Sequence, residues 1–163
     1  SEAEAAATLA AMTKRPQRHT AESPHQLDEK PGHLVRRAHQ LSVTIFSEEA
    51  RPFRITGPQH VVLVALAHHP GVDQNTVAGL GALDRSTAGN VITRLERRGL
   101  ISRRVNPADH RGRILSLTAK GDKLVKAMDA AVRRTQQRFL ASLKPNERAQ
   151  FDGYLRRIVG LED

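Results

Sequence analysis

The chain has 163 residues, enough for one ordinary domain with its own core, and it sets 26 Lys and Arg against 17 Asp and Glu for a formal net charge of +9. That balance points to nucleic acid or another anionic surface, and the few aromatic residues (four Phe, one Tyr) argue against a platform that stacks single-stranded bases. With no cysteine and no apolar run reaching the roughly 18 residues of a membrane span, disulfides, thiol sensing, cysteine-based zinc sites and a membrane-spanning segment are excluded, and a reducing cytoplasm is the expected compartment.

Residues 1–31 read as a mobile N-terminal arm. "EAEAAATLAAM" is alanine-rich and suits a short helix. "TKRPQRHTAESPHQLDEKP" then carries three prolines and almost no apolar spacing, as a linker does. The arm is either a dispensable tail or a segment that packs on a partner subunit. A start at Ser1 without methionine is expected of a processed or tagged chain.

"GHLVRRAHQLSVTIFSEEA" places Leu34, Ala38, Leu41 and Ile45 on one face, widened by Val35 and Phe46. That spacing predicts an amphipathic helix over roughly 32–51. "RPFRITG" ends it. "PQHVVLVALAHHPG" is almost wholly apolar from His60 to Ala67 and predicts a buried helix, with Pro58 in its first turn and Pro70–Gly71 beyond its end. "VDQNTVAGLGAL" predicts a short third helix with Val77 and Leu80 inward.

The next stretch, "LDRSTAGNVITRLERRGLISRRVNPADHRGR", carries the most information. Asp84 is a good N-cap for amides near Thr87. Ala88, Val91, Ile92 and Leu95 follow at helix spacing, and Gly99 stops the helix. Two short helices joined near Gly81 make a helix-turn-helix. "LISRRV" and "RILSLT" are short strands flanking a turn-rich tip with Pro107, Asp109 and Gly112. Thr118 then caps a long helix, roughly 119–141, striped by Leu124, Met128, Ala131, Val132, Thr135 and Phe139. A last helix starts at Pro145, with Phe151, Leu155, Ile158 and Val159 as its inner face. The fold class is mainly α with a small β wing: a winged helix-turn-helix flanked by helices. Its expected parts are the arm at 1–31, a first helix and connection at 32–56, the winged helix-turn-helix at 57–118 and C-terminal helices at 119–163.

A winged helix binds double-stranded DNA by laying its second helix in the major groove and its wing in the adjacent minor groove. With Ala88, Val91, Ile92 and Leu95 inward, the outward set includes Arg85, Ser86, Thr87, Asn90 and Arg94. Ser86 and Thr87 lie at the helix start, where free amides favour a phosphate. Asn90 has the donor–acceptor pair that recognises adenine. Gly89 leaves room for approach to the groove floor. In the wing, Arg111 is the candidate for minor-groove insertion, Arg104 and Arg113 are phosphate partners, and Asp109 orients an arginine by pairing with it. Residues 84–113 hold eight arginines against three acids, a net +5 of the chain's +9. Arg97 and Arg98 stay open: they either pair with Glu96 or are simply solvated.

These residues, "LDRSTAGNVITRLERRGLI" followed by "RRVNPADHRGRILSLTAKG", are similar to the multiple antibiotic resistance regulator (MarR) family, over roughly residues 30–160. The family's wing usually reads Asp-Arg-Arg; here it is Asp109-His110-Arg111, which puts the wing's affinity and pH sensitivity in question while keeping the tip arginine. The resemblance implies a homodimer whose first and last two helices interlock as a helical dimerisation region (the first dimerisation helix and connection at 32–56, the C-terminal dimerisation helices at 119–163), a pseudo-palindromic operator, and repression released by a small molecule. "PGHLVRRAHQ" and "DQNTVAGLGALDRST" look most like a branch controlling breakdown of aromatic acids or their coenzyme A thioesters.

Such an effector, an aromatic carboxylate or its thioester, needs one cation and an apolar slot. Arg36 or Arg37 can supply the cation; Arg36 is preferred because it forms a polar strip with His39 and Gln40. The alternative for Arg36 is a salt bridge. His60 is a second candidate, or a hydrogen-bonded structural histidine. His33, His39, His68 and His69 are scattered without compact ligand spacing, so neither a metal nor a cofactor is expected. No paired carboxylates, nucleophile–base arrangement or phosphate-cradling loop suggests an enzyme. The remaining alternative is a winged-helix module for DNA or protein contacts that has no small-molecule effector.

Overall fold

The computed structural model describes residues 24–161. The alanine-rich stretch and most of the expected arm lie outside these residues. Where the last part of that arm was expected as linker, a five-residue helix α1 forms at Pro24–Asp28. The long amphipathic helix α2 spans Pro31–Glu49. The chain divides within α2, at Arg37, into two compact units. In the first, Asp28 accepts from Arg37 Nη1 at 2.7 Å and lies 3.7 Å from His33 Nε2. Arg37 is thereby engaged, whereas Arg36 is exposed.

In the second unit, residues 38–163, a single turn of 3-10 helix at Arg51–Phe53 follows α2. Then come α3 (Gly57–His68), α4 (Gln74–Leu80), α5 (Arg85–Arg97), β1 (Ile101–Val105), β2 (Arg113–Leu117), α6 (Ala119–Phe139) and α7 (Pro145–Ile158). The starts of α3, α4, α5 and α6 have local causes. Thr56 and Gln59 form a reciprocal capping box on α3. Asp73 accepts from the Thr76 amide at 2.8 Å, Asp84 from the Thr87 amide at 2.8 Å, and Thr118 Oγ1 from the Gly121 amide at 3.1 Å. Gly99, at φ 68°, supplies the left-handed residue that closes α5.

The core draws on α3, α4, α5, β1, β2 and α6, whereas α7 contributes no buried residue. Leu63 and Leu66 of α3, Ile92 and Leu95 of α5, Leu100, Leu115 of β2 and Met128 of α6 are almost wholly excluded from solvent. Full burial of each such side chain is worth about 1.5–3 kcal/mol. The α5 stripe of Ala88, Val91, Ile92 and Leu95 is buried as its spacing predicted. The strands pair antiparallel, Ile101 opposite Leu117 and Val105 opposite Arg113. A bridge from Val72 to Leu115 adds a third edge that the sequence did not announce.

Other faces differ from expectation. Leu80 is 49% exposed rather than inward, because α4 turns Val77 and Ala78 to the core instead. In α3, Val62, Leu63 and Leu66 are buried, whereas Ala67 is exposed, so this helix is buried on one side only. Ile158 and Val159, expected on the inner face of α7, are 74% and 63% exposed. In the last two helices, Phe139 and Phe151 pack ring to ring at 6.4 Å. The end of α2 is tied to α6 by ion pairs: Glu49 with Arg134 at 2.7 Å and Arg138 at 2.9 Å, and Glu48 with Arg138 at 2.6 Å. Hydrogen bonds from Arg134 and then Arg138 hold the Glu49 carboxyl below the usual carboxylate range.

Candidate nucleic-acid interface and effector cavity

Burial of one face of α5 decides what its other face can do. Arg85, Ser86, Asn90, Arg94 and Arg97 are all exposed. Thr87 is half-buried, and its hydroxyl donates to Asp84 Oδ2 at 2.6 Å. Its oxygen can still accept, but its proton belongs to the cap. The Thr87 hydroxyl and amide also hold the Asp84 carboxyl below its ordinary range, so the cap stays charged at neutral pH. Gly89 also has a neighbour within the chain. A Cβ there would stand 3.2 Å from Gln74 Nε2, the flexible end of a side chain at the start of α4. Gln74 is thus brought against the α5 surface, a neighbour that helix spacing alone could not reveal.

The wing tip is built by backbone hydrogen bonds. The Asn106 amide donates to Gly112 O at 3.0 Å and the Gly112 amide to Asp109 O at 2.9 Å. Asn106 Oδ1 accepts from the Ala108 amide, and Asp109 Oδ1 from the Arg111 amide, both at 3.0 Å. Asp109 was expected to pair with an arginine side chain. In a turn this tight the main-chain amide two residues on is the nearer donor, so the carboxylate fixes the backbone that carries Arg111. His110, Arg111 and Arg113 are exposed along this tip, and Arg104 is exposed on β1 opposite Ile114. The remaining arginines divide. Glu96 pairs with Arg103 at 3.4 Å, not with Arg97 or Arg98. Arg98 donates to Arg54 O at 2.8 Å and to Phe53 O at 3.3 Å.

A cavity of about 450 Å³ lies within the second unit. His39, Ser42 and Phe46 of α2 line it, with His60 of α3, Thr135 and Gln136 of α6, and the Gly81–Leu83 segment that leads into α5. The Phe46 and His60 rings lie 5.3 Å apart, tilted by 48°. Burial lowers the His60 pKa, against a smaller opposing pull from Asp129, so its imidazole is neutral at neutral pH. His39 and His60 therefore share one cavity, while Arg36 is not among its lining residues. The lining contains no Arg, Lys, Asp or Glu. Ser42, Phe46, Thr135 and Gln136 were not foreseen, because their meeting depends on how α2 and α6 pack. Among the described residues, no three His, Asp or Glu side chains converge as a metal site would require, and no helix is long and apolar enough to cross a membrane.

The profile of the MarR family matches residues 55–112, which run from the end of the first connection to the wing tip. The HTH-type transcriptional repressor NicR of Pseudomonas putida is 30% identical over 141 residues, covering 86% of this chain and 89% of that protein. Bordetella bronchiseptica BpsR, whose DNA binding is regulated by 6-hydroxynicotinic acid, superposes with a TM-score of 0.75 at 34% identity, over 78% of this chain and 97% of BpsR. The repressor CouR, solved on a 23-mer DNA duplex, superposes with a TM-score of 0.78 at 28% identity, over 86% and 99% of the two chains. This chain belongs to the MarR family and is a DNA-binding transcriptional regulator, not an enzyme.

Proposed function

We propose that the protein is a cytoplasmic homodimeric repressor that leaves its operator when a small aromatic carboxylic acid, or the coenzyme A thioester of one, occupies the cavity beside α5. The observation that carries this reading is the position of the Gly81–Leu83 segment. It is both cavity wall and the lead-in to the Asp84 cap, so a ligand there bears on the start of the helix that faces DNA. In this reading residues 57–118 are the DNA-binding domain. Arg85, Ser86, Thr87, Asn90 and Arg94 meet the major groove, Arg111 enters the minor groove, and Arg104 and Arg113 bind phosphates while Asp109 holds the tip.

Homodimerisation is supported by the apolar side chains that a single chain leaves in water. Leu41 and Val43 on α2 are 51% and 44% exposed, and Ile158, Val159 and Leu161 at the C-terminal end are more so. Residues 32–56 and 119–163 then serve as the dimerisation region, and two recognition helices meet half-sites about one helical turn apart. The aromatic effector class is supported by the cavity's Phe46–His60 pair and by the regulation of BpsR by 6-hydroxynicotinic acid. Within the cavity His39 and His60 are the proposed polar contacts; Arg36, exposed in the first unit, is a proposed residue of the effector response.

Three measurements test this. Aromatic acids and their thioesters, 6-hydroxynicotinate among them, are screened by thermal shift. A hit is expected to raise the melting temperature and to release a duplex selected from a random-site library. Arg36→Ala should keep operator binding and lose that release. A chain that binds the duplex but answers to no acid or thioester is an effector-free module instead. Asn90→Ala should relax base preference at one position of each half-site by about 1–3 kcal/mol; an unaltered selected sequence removes Asn90 from base reading.

A further inference from the structure

Arg98 is left without a role by this reading, although it belongs to the densest run of arginines in the chain. The structure shows what occupies it. Its guanidinium reaches back 44 and 45 residues to donate to Arg54 O and Phe53 O, in the connection that joins α2 to α3. Arg54 sits at φ 54°, a left-handed conformation unusual for a residue with a side chain. Strain of this kind persists where the surroundings over-determine it, and the pair of carbonyls turned toward one guanidinium is such a constraint.

The same turn is gripped from the other side. Lys120 Nζ donates to Arg98 O at 2.9 Å and Thr118 Oγ1 to Gly99 O at 2.7 Å. The Thr118 amide donates to Leu100 O at 3.1 Å. These partners lie in the junction where β2 passes into α6. Both covalent connections between the winged helix and the flanking helices therefore converge on the last turn of α5. The first turn of α5, by contrast, is approached through the cavity wall at Gly81–Leu83.

We propose that Arg98 is a positioning residue: it clasps the C-terminal end of α5 to the α2–α3 connection and so sets the angle at which α5 meets the major groove. It touches no DNA itself. The inference rests on the reading of α5 as the recognition helix. It adds a fixed pivot at one end of that helix, opposite the end that borders the cavity. A groove-reading helix depends on alignment for its base contacts, whereas phosphate attraction is tolerant of small rotations. Loss of the clasp should then weaken specific binding while sparing non-specific binding.

The test uses the full chain and two duplexes: the sequence that the wild type selects from a random library, and a random duplex of equal length. Arg98→Met is expected to lower affinity for the selected duplex about two- to thirty-fold and to leave affinity for the random duplex and its salt dependence unchanged. Arg98→Lys, which keeps a donor and the charge, should recover part of the loss. A merely stabilising side chain would shift the melting temperature and leave the ratio of the two affinities alone, which overturns the proposal. So does an equal loss on both duplexes with the salt slope reduced by about 0.9 per site, the mark of a phosphate contact. Should Arg98→Met fail to fold, Arg98→Gln, which keeps a donor too short to reach both carbonyls, is read by the same ratio. A wild type that selects no sequence defeats the recognition-helix reading before any variant is made.

Discussion

Gly121→Ala is expected to destabilise the protein by about 3 kcal/mol, the upper range for overpacking a core. A Cβ on Gly121 would stand 2.1 Å from Leu100 O and 3.1 Å from its carbonyl carbon. Both atoms are backbone and cannot rotate away. Leu100 O already accepts the Thr118 amide that begins α6, so displacing it breaks a hydrogen bond at the same stroke. The loss should appear as a lower urea midpoint with an unchanged slope. Gly153→Ala is the control: nothing lies within 4 Å of a Cβ there, and α7 should gain stability from the better helix former. If Gly121→Ala unfolds at the wild-type midpoint, α6 does not sit on the β1 junction as described.

Arg111→Ala is expected to weaken DNA binding across all sequences, by about 1.5–3 kcal/mol for each wing, the scale of a charge-assisted contact. The tip's shape is held by the amides and carbonyls of residues 106–112 and by two short acceptor side chains. Removing the guanidinium therefore leaves the wing's form intact, and the effect reads the contact alone. The slope of log affinity against log salt should shrink by about 0.9 per wing. Fluorescence anisotropy with a labelled duplex at several salt concentrations measures both. An unchanged affinity would take Arg111 out of the interface.

Local signals carried the sequence reading furthest. Asp84, the four buried positions of α5 and the flanking strands are legible because caps and apolar periods act within a few residues. A period identifies a stripe, however, not what covers it. Ile158 and Val159 lie on the stripe of α7 and are exposed in the single chain, and Leu80 yields its inward place to Ala78. Long-range partners were out of reach for another reason. Nothing near Arg98 in sequence hints at carbonyls more than forty residues earlier, and nothing near Gly89 hints at Gln74. Asp109 was placed correctly at the tip but given a side-chain partner when the nearer donor was the main chain. The cavity was the least legible element, since its walls come from four separate stretches that meet only when α2, α3 and α6 are packed.

The fixed arrangement of exposed guanidiniums on α5 and the wing has a kinetic consequence. Arg85, Arg94, Arg104, Arg111 and Arg113 are carried on elements anchored to the core, whereas Glu48 and Glu49 are neutralised by α6. Residues 84–113 thus carry +5 of the chain's +9 on α5 and the wing. With these guanidiniums as the proposed DNA-facing set, association is expected to run well above the rate of an unsteered pair at low ionic strength and to fall steeply as salt is raised, in stopped-flow measurements with a labelled duplex.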